Sequence, residues 1–141
     1  MTHATIANSP TARLAHIRGD DAIPGISQAV IVEHGRIAYL SGHLPISADG
    51  EAPDRFEEQL ARVFASLRST LEDLHATSAD LIRITIYVVG LSEDRLPLIR
   101  AARDQFLGNS DNPPASALLG VASLFRPEIQ VEIDAIVSLP G

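Results

Sequence analysis

The chain contains no cysteine, no tryptophan and no lysine. Without cysteine it can form no disulfide, thiol nucleophile or thiolate metal site. Only six of the 141 residues are aromatic, four Phe and two Tyr, so the stacking platforms that bind single-stranded nucleic acid are scarce. Positive charge is also in short supply. Eleven basic residues, all arginine, face eighteen Asp and Glu, for a net charge of −7. That balance argues against nucleic acid or an anionic membrane surface as the main partner. The histidines, at 3, 16, 34, 43 and 75, form no H-x-x-x-H pair, and no metal site is expected. The phosphate-cradling patterns G-x-x-x-x-G-K-[ST] and G-x-G-x-x-G do not occur, nor does G-x-S-x-G, so no cofactor is expected. The first residues, "MTHATIANSPTARL", carry neither a basic segment nor an apolar run. The expectation is a cytoplasmic protein with no signal peptide and no transmembrane helix.

The length suits one domain with a real core. Residues 1–11 read as a loose, flexible N-terminus, and 12–141 as a single domain. "ARLAHIR" (12–18) is a first strand and "GDDAIPG" (19–25) a loop. "SQAVIVEHGRIAYLSG" (27–42) has the pattern of a hairpin turning at His34-Gly35. "LPISADGEAPD" (44–54) is again a loop. A helix is expected over 54–76, with Asp54 as N-cap and an apolar stripe of Phe56, Leu60, Val63, Leu67, Leu71 and Leu74. Glu57, Glu58, Arg62 and Arg68 fall on its solvated side.

"DLIRITIYVVG" (80–90) is the clearest strand, with Ile82, Ile84, Ile86 and Val88 facing one way. A second helix, about 93–107, tolerates Pro97 only in its first turn. It buries Ile99, Ala102 and Phe106, and Arg100, Arg103 and Asp104 read as solvated. Strands at 114–124 and 129–138 close the chain as two neighbours joined by a turn.

The order β-β-β-α-β-α-β-β makes an α+β domain with a six-stranded sheet and two helices on one face. The stretch "ALLGVASL" (117–124) is apolar or small on both sides, so both sides of that strand call for burial. An uncovered apolar sheet face is rare on a soluble monomer. A homo-oligomer that packs sheet on sheet is therefore expected.

The C-terminal strands bring a resemblance into view. From about residue 22 the chain resembles the YjgF/Rid family, the reactive-intermediate deaminases. "ISQAV" (26–30), "AYLSGHLP" (38–45), "FEEQLARVFASLRSTLEDL" (56–74), "PPASALLGVASL" (113–124) and "VEIDAI" (131–136) follow one another in the family's order and spacing. The resemblance implies a chorismate-mutase-like, YjgF-type fold and a homotrimer whose sheets form a central barrel. It also implies small-molecule clefts at the subunit seams. Deaminase members hydrolyse 2-imino acids and their enamine tautomers to 2-keto acids and ammonia.

Carried over position by position, the resemblance makes Glu132 the catalytic carboxylate. Ser41, Gly42, Ile26, Ala115 and Ser116 become substrate-binding residues. Two of these depart from the pattern. Where deaminases have Pro-Ala-Arg, this chain has Pro114-Ala115-Ser116, and where they usually have Tyr it has Ile26. Ser116 thus stands where the cation for the substrate carboxylate should be, with Glu132 expected opposite it. Losing a desolvated, bidentate cation–carboxylate pair costs about 2–5 kcal/mol. Ordinary 2-imino acid turnover is therefore disfavoured.

The expected function is hydrolysis of another imine, enamine or related reactive metabolite, with a non-catalytic trimeric binding module as the alternative. From pattern alone Glu132 also reads as one member of a half-exposed polar stripe with Gln130 and Asp134. Ser116 also reads as a small residue in a tight strand pair, and Ser41-Gly42 as a strand end. Arg18 and Arg126 could bring a substitute cation or simply be solvated.

Overall fold

The computed structural model describes residues 5–6, 13–108 and 110–140. Its strands are β1 (Thr5–Ile6), β2 (Leu14–Arg18), β3 (Ala29–Val32), β4 (Ile37–Tyr39), β5 (Leu81–Val89), β6 (Ala115–Val121) and β7 (Val131–Ser138). Its helices are α1 (Phe56–Asp73), between β4 and β5, and α2 (Leu96–Leu107), between β5 and β6. Among the described residues no helix is long and apolar enough to cross a membrane. Strand β1 pairs with β2 inside the segment read as a loose terminus; the rest of residues 1–12 lies outside the described residues.

The α+β class and the order of the main elements are as expected. The sheet is not a single six-stranded one. Strands β1-β2-β3 form one sheet and β4-β7-β5-β6 another, joined by an isolated bridge between Ser27 and Ala115. Two expected hairpins are absent for the same reason, that neighbours in sequence part company in space. The turn at Gly35 is followed by a strand that crosses to β7, so β3 and β4 lie in different sheets. At the C-terminus β5 inserts between β6 and β7. It runs parallel to β6, which the α2 crossover permits, and antiparallel to β7.

Alternation along the strands sets the core. Ile84, Ile86, Val88, Val131, Ile133, Ala135 and Val137 point to one face and are essentially inaccessible. Both helices cover that face. From α1 come Phe56, Leu60, Val63, Leu67 and Leu71, and from α2 come Ile99 and Phe106, as their spacing predicts. The Phe64 and Phe106 rings meet at 5.0 Å between the helices. Glu57, Glu58, Arg62 and Arg68 are exposed, as expected. The cap differs: Arg55, not Asp54, precedes α1, with no side-chain cap bond.

One buried polar side chain on α1 positions the site. Gln59 donates from Nε2 to the carbonyls of Pro53 and Glu128, and its Oε1 accepts from the Gln130 amide, each at 2.8 Å. A buried amide with these partners met is stable, and one stripped of them is costly. The start of β7 is thereby tied to α1. Arg95 adds a second clamp, donating to the Val89 carbonyl (2.7 Å) and Gln130 Oε1 (2.6 Å), with its guanidinium 4.1 Å from the Phe56 ring centre. Both contacts hold Gln130, two residues before Glu132.

Candidate functional site

Strand pairing separates the expected site residues into two groups. Ser116 pairs with Ile84, which pairs with Ala135, so Ser116 lies on the helix face. Glu132 pairs with Tyr87, which pairs with Leu119, on the open face. Two strand spacings and three residues of register put them about 10 Å apart across the sheet and about 10 Å along it. Within one chain Glu132 does not face Ser116, contrary to expectation. The reason is the insertion of β5 between their strands. Ala115 pairs with Arg83 and belongs to the open face, so the two neighbours Ala115 and Ser116 point to opposite faces.

Ser116 and Ile26 do share a cavity. It holds about 680 Å3 and is bounded by the 23–26 loop, the end of α2 and strand β6. Ile23, Ile86, Ile99 and Leu118 supply apolar wall, and Arg100, Arg103 and Asp104 supply charge. Arg103 is not solvated, as its helical position led us to expect: its side chain is only 12% exposed. Its Nε and Nη2 donate to Asp104 Oδ1 at 3.2 and 3.1 Å, and Nη2 also reaches the Pro24 carbonyl at 3.4 Å. Gly25 allows this closeness. It sits at φ +80°, and a Cβ there would lie 2.8 Å from Arg103 Nη2.

On the open face Glu132 lies against Gly42. A Cβ on Gly42 would sit 2.7 Å from the Glu132 Cδ, so only glycine lets the carboxylate occupy that space. Partial burial, and then the neighbouring Asp134, raise the pKa of Glu132 above the ordinary carboxylate value. Asp134 accepts a hydrogen bond from the Tyr87 hydroxyl at 2.9 Å, and that bond in turn raises the tyrosine's pKa.

Ser41 is exposed beside Gly42. His43 braces the turn: its ring Nδ1 lies 2.8 Å from the Ser41 carbonyl and its Nε2 2.7 Å from Thr70 Oγ1 on α1. A carbonyl can only accept, so Nδ1 carries a proton and donates to it, and the Thr70 hydroxyl, which can donate or accept, pairs with Nε2. His43 shows no pattern that sequence reading rewards, because its partner is 27 residues away.

The two arginines considered as substitute cations lie elsewhere. Arg126 pairs with Glu128 at 3.0 Å and donates to the Gly50 carbonyl. Arg18 reaches the Asp111 carbonyl at 3.4 Å. A second hollow, about 450 Å3, lies between α1 and α2, and none of the expected site residues lines it. Among the described residues no group of three His, Asp or Glu could hold a metal ion.

Comparison with known proteins agrees with this architecture. The family model described as Endoribonuclease L-PSP matches residues 20–139. The chain belongs to that family, the YjgF/Rid proteins. Among its relatives is a RutC family protein of Haemophilus influenzae, 27% identical over 108 residues that span 74% of this chain and 81% of that one. Protein DfrA of Myxococcus xanthus is 30% identical over 122 residues, 82% of this chain and 86% of its own. The crystal structure of YyfB, a Rid family protein of unknown function from Yersinia pestis, superposes with a TM-score of 0.84 at 30% identity. It covers 91% of this chain and 100% of YyfB. Membership supports a small-molecule role of the deaminase-like or endoribonuclease-like kind.

Proposed function

We propose that this protein is a cytoplasmic Rid-type hydrolase of an imine, enamine or related reactive metabolite, with Glu132 as its acid–base group. The observation that carries the reading is the Glu132–Gly42 pair. A carboxylate with a raised pKa sits at a position kept open by a missing Cβ. A pKa moved toward neutrality suits a group that must both take and return a proton. In the reaction, Glu132 accepts a proton from water as its oxygen attacks the C=N carbon, giving a carbinolamine. The same carboxyl then returns the proton to nitrogen. The C–N bond breaks as the carbinol hydroxyl passes its proton to Glu132, and carbonyl compound and ammonia leave. An enamine joins this route after protonation at carbon.

Ser116 shapes the substrate. No cation stands at that position, so a carboxylate on the carbon next to the imine finds no bidentate partner there. A copy of the chain from a homotrimer, packed on the open face, is the proposed source of the opposite wall. That face exposes Tyr39 (76%), Leu119 (43%) and Ile37 (39%), more apolar surface than a lone sheet should leave in water. The Ser116 cavity of one protomer and the Glu132–Gly42–Ser41 group of its partner would then make one cleft at the seam.

An RNA-cleaving reading, which the family description brings to mind, is opposed by the net charge of −7. A binding module without turnover is favoured by one observation, that a single chain does not bring Ser116 and Glu132 together.

The test is hydrolysis of imines generated in situ by an amino-acid oxidase, with carbonyl release followed. Glu132→Gln should lower turnover by about 10²- to 10⁴-fold, and 2-iminopropanoate should be a poor substrate beside imines whose acidic group is more remote. Equal rates for wild type and Glu132→Gln would remove the hydrolase reading and leave the binding module.

A further inference from the structure

We infer that Arg103 on α2 is the anion anchor of the Ser116 cavity, so that the ligand directs its acidic group toward α2. The inference deepens the proposed function and rests on it for the identity of the cleft. Four observations support it. First, the Arg103 side chain is largely removed from solvent and lines the same cavity as Ser116 and Ile26. Second, its orientation is set beforehand: Asp104 takes Nε and Nη2, and the Pro24 carbonyl takes Nη2 again. That leaves Nη1 with no protein partner among the described residues. A guanidinium already held in place loses little freedom on binding an anion.

Third, the cavity keeps a positive balance. Arg100 and Arg103 line it against a single carboxylate, Asp104, which is itself 59% exposed and so screened by water. Fourth, the 23–26 loop packs closely on the guanidinium: a Cβ at Gly25 would lie 2.8 Å from Nη2, and the φ of +80° at that position itself favours glycine. Arg126 and Arg18, by contrast, do not line this cavity.

The chemical consequence is a choice of substrate. A cation on the strand at position 116 would hold a carboxylate close to the reacting carbon. A cation on the helix wall leaves the apolar surface of Ile26, Ile86 and Leu118 in the same cavity for a spacer. The ligand class is therefore a small monoanion or dianion whose carboxylate is separated from the imine carbon by an apolar chain or ring.

Calorimetric titration of the intact assembly with glutarate and with benzoate tests this without any turnover. Wild type should bind at least one of them, more weakly as salt rises. Arg103→Gln should weaken binding at least tenfold, Arg103→Lys should keep part of it, and Arg126→Gln should change nothing. Should Arg103→Gln lower the melting temperature, Leu118→Trp provides the second variant: it puts bulk into the cavity from strand β6 while keeping the arginine, and should abolish binding. The readout is binding without turnover, so a failure of the hydrolase reading leaves this result intact. Wild type that binds neither carboxylate, or Arg103→Gln that binds as tightly as wild type in the same oligomeric state, overturns the assignment.

Discussion

The two faces of the β4-β7-β5-β6 sheet follow different rules. On the helix face Ile84, Ile86, Val88, Ile133 and Ala135 are buried in a core shared with apolar side chains of both helices, and the hollow that holds Ser116 is edged by arginines. On the open face Glu132, Asp134 and Tyr87 share a surface with exposed Tyr39, Ile37 and Leu119, and neither helix covers it. The first face is finished by folding. The second has an acidic centre and an apolar surround, the composition of a surface that becomes an interior when another molecule covers it.

Changes on the two faces should therefore fail in different ways. The largest effect is expected from Leu119→Glu. A charge placed on the proposed seam should reduce the solution mass from about 45 kDa, three chains of 15.1 kDa, to that of one chain, with the secondary structure kept. A wild-type protein that is monomeric at micromolar concentration would break the comparison. Ile133→Ala, on the other face of the same sheet, removes a fully buried side chain. It should cost about 2–5 kcal/mol in denaturant titration. Asp134→Ala, one residue along, should cost clearly less.

Gly42→Ala should cost about 1–3 kcal/mol through its clash with Glu132. Combining it with Glu132→Ala should recover most of that loss, the non-additivity expected of residues in contact. The smallest effect concerns pH. The folded-state pKa of Glu132 is raised, so the fold prefers the protonated form. Its contribution is complete below the unfolded pKa and is lost as pH rises through the raised folded value. Glu132→Gln should therefore be slightly more stable than wild type near neutral pH and no more stable in acid, as thermal melts across that range would show.

Much of the fold could be read from periodicity, because β5, α1 and α2 bury continuous stripes at regular spacing. Strand partners could not. Alternation in residues 29–39 and 115–138 specifies which side is buried but not which neighbour pairs, so two hairpins were expected where β7 and β5 intervene. The same limit applies to the site. Glu132, Ser116, Ile26, Ser41 and Gly42 could be found by position in the family pattern. That Ser116 and Glu132 lie on opposite faces depends on register, which no local pattern carries. Arg103 was hidden for another reason. On a helical wheel it belongs with the charged side, and only the 23–26 loop folding over it takes it out of water.

In the proposed assembly one cleft takes its walls from opposite faces of two copies. The absence of native cysteine makes a direct measurement possible. In a Ser41→Cys/Ser116→Cys variant the introduced thiols are the only ones. Within one chain their strands are three places apart in the sheet, about 14 Å, and Ser116 lies on the helix face. A short bis-maleimide added to dilute protein should join chains into covalent dimers and trimers on a denaturing gel, and neither single variant should give trimers. Double-variant protein that stays as single chains, whether unlinked or looped within itself, would contradict the two-chain cleft.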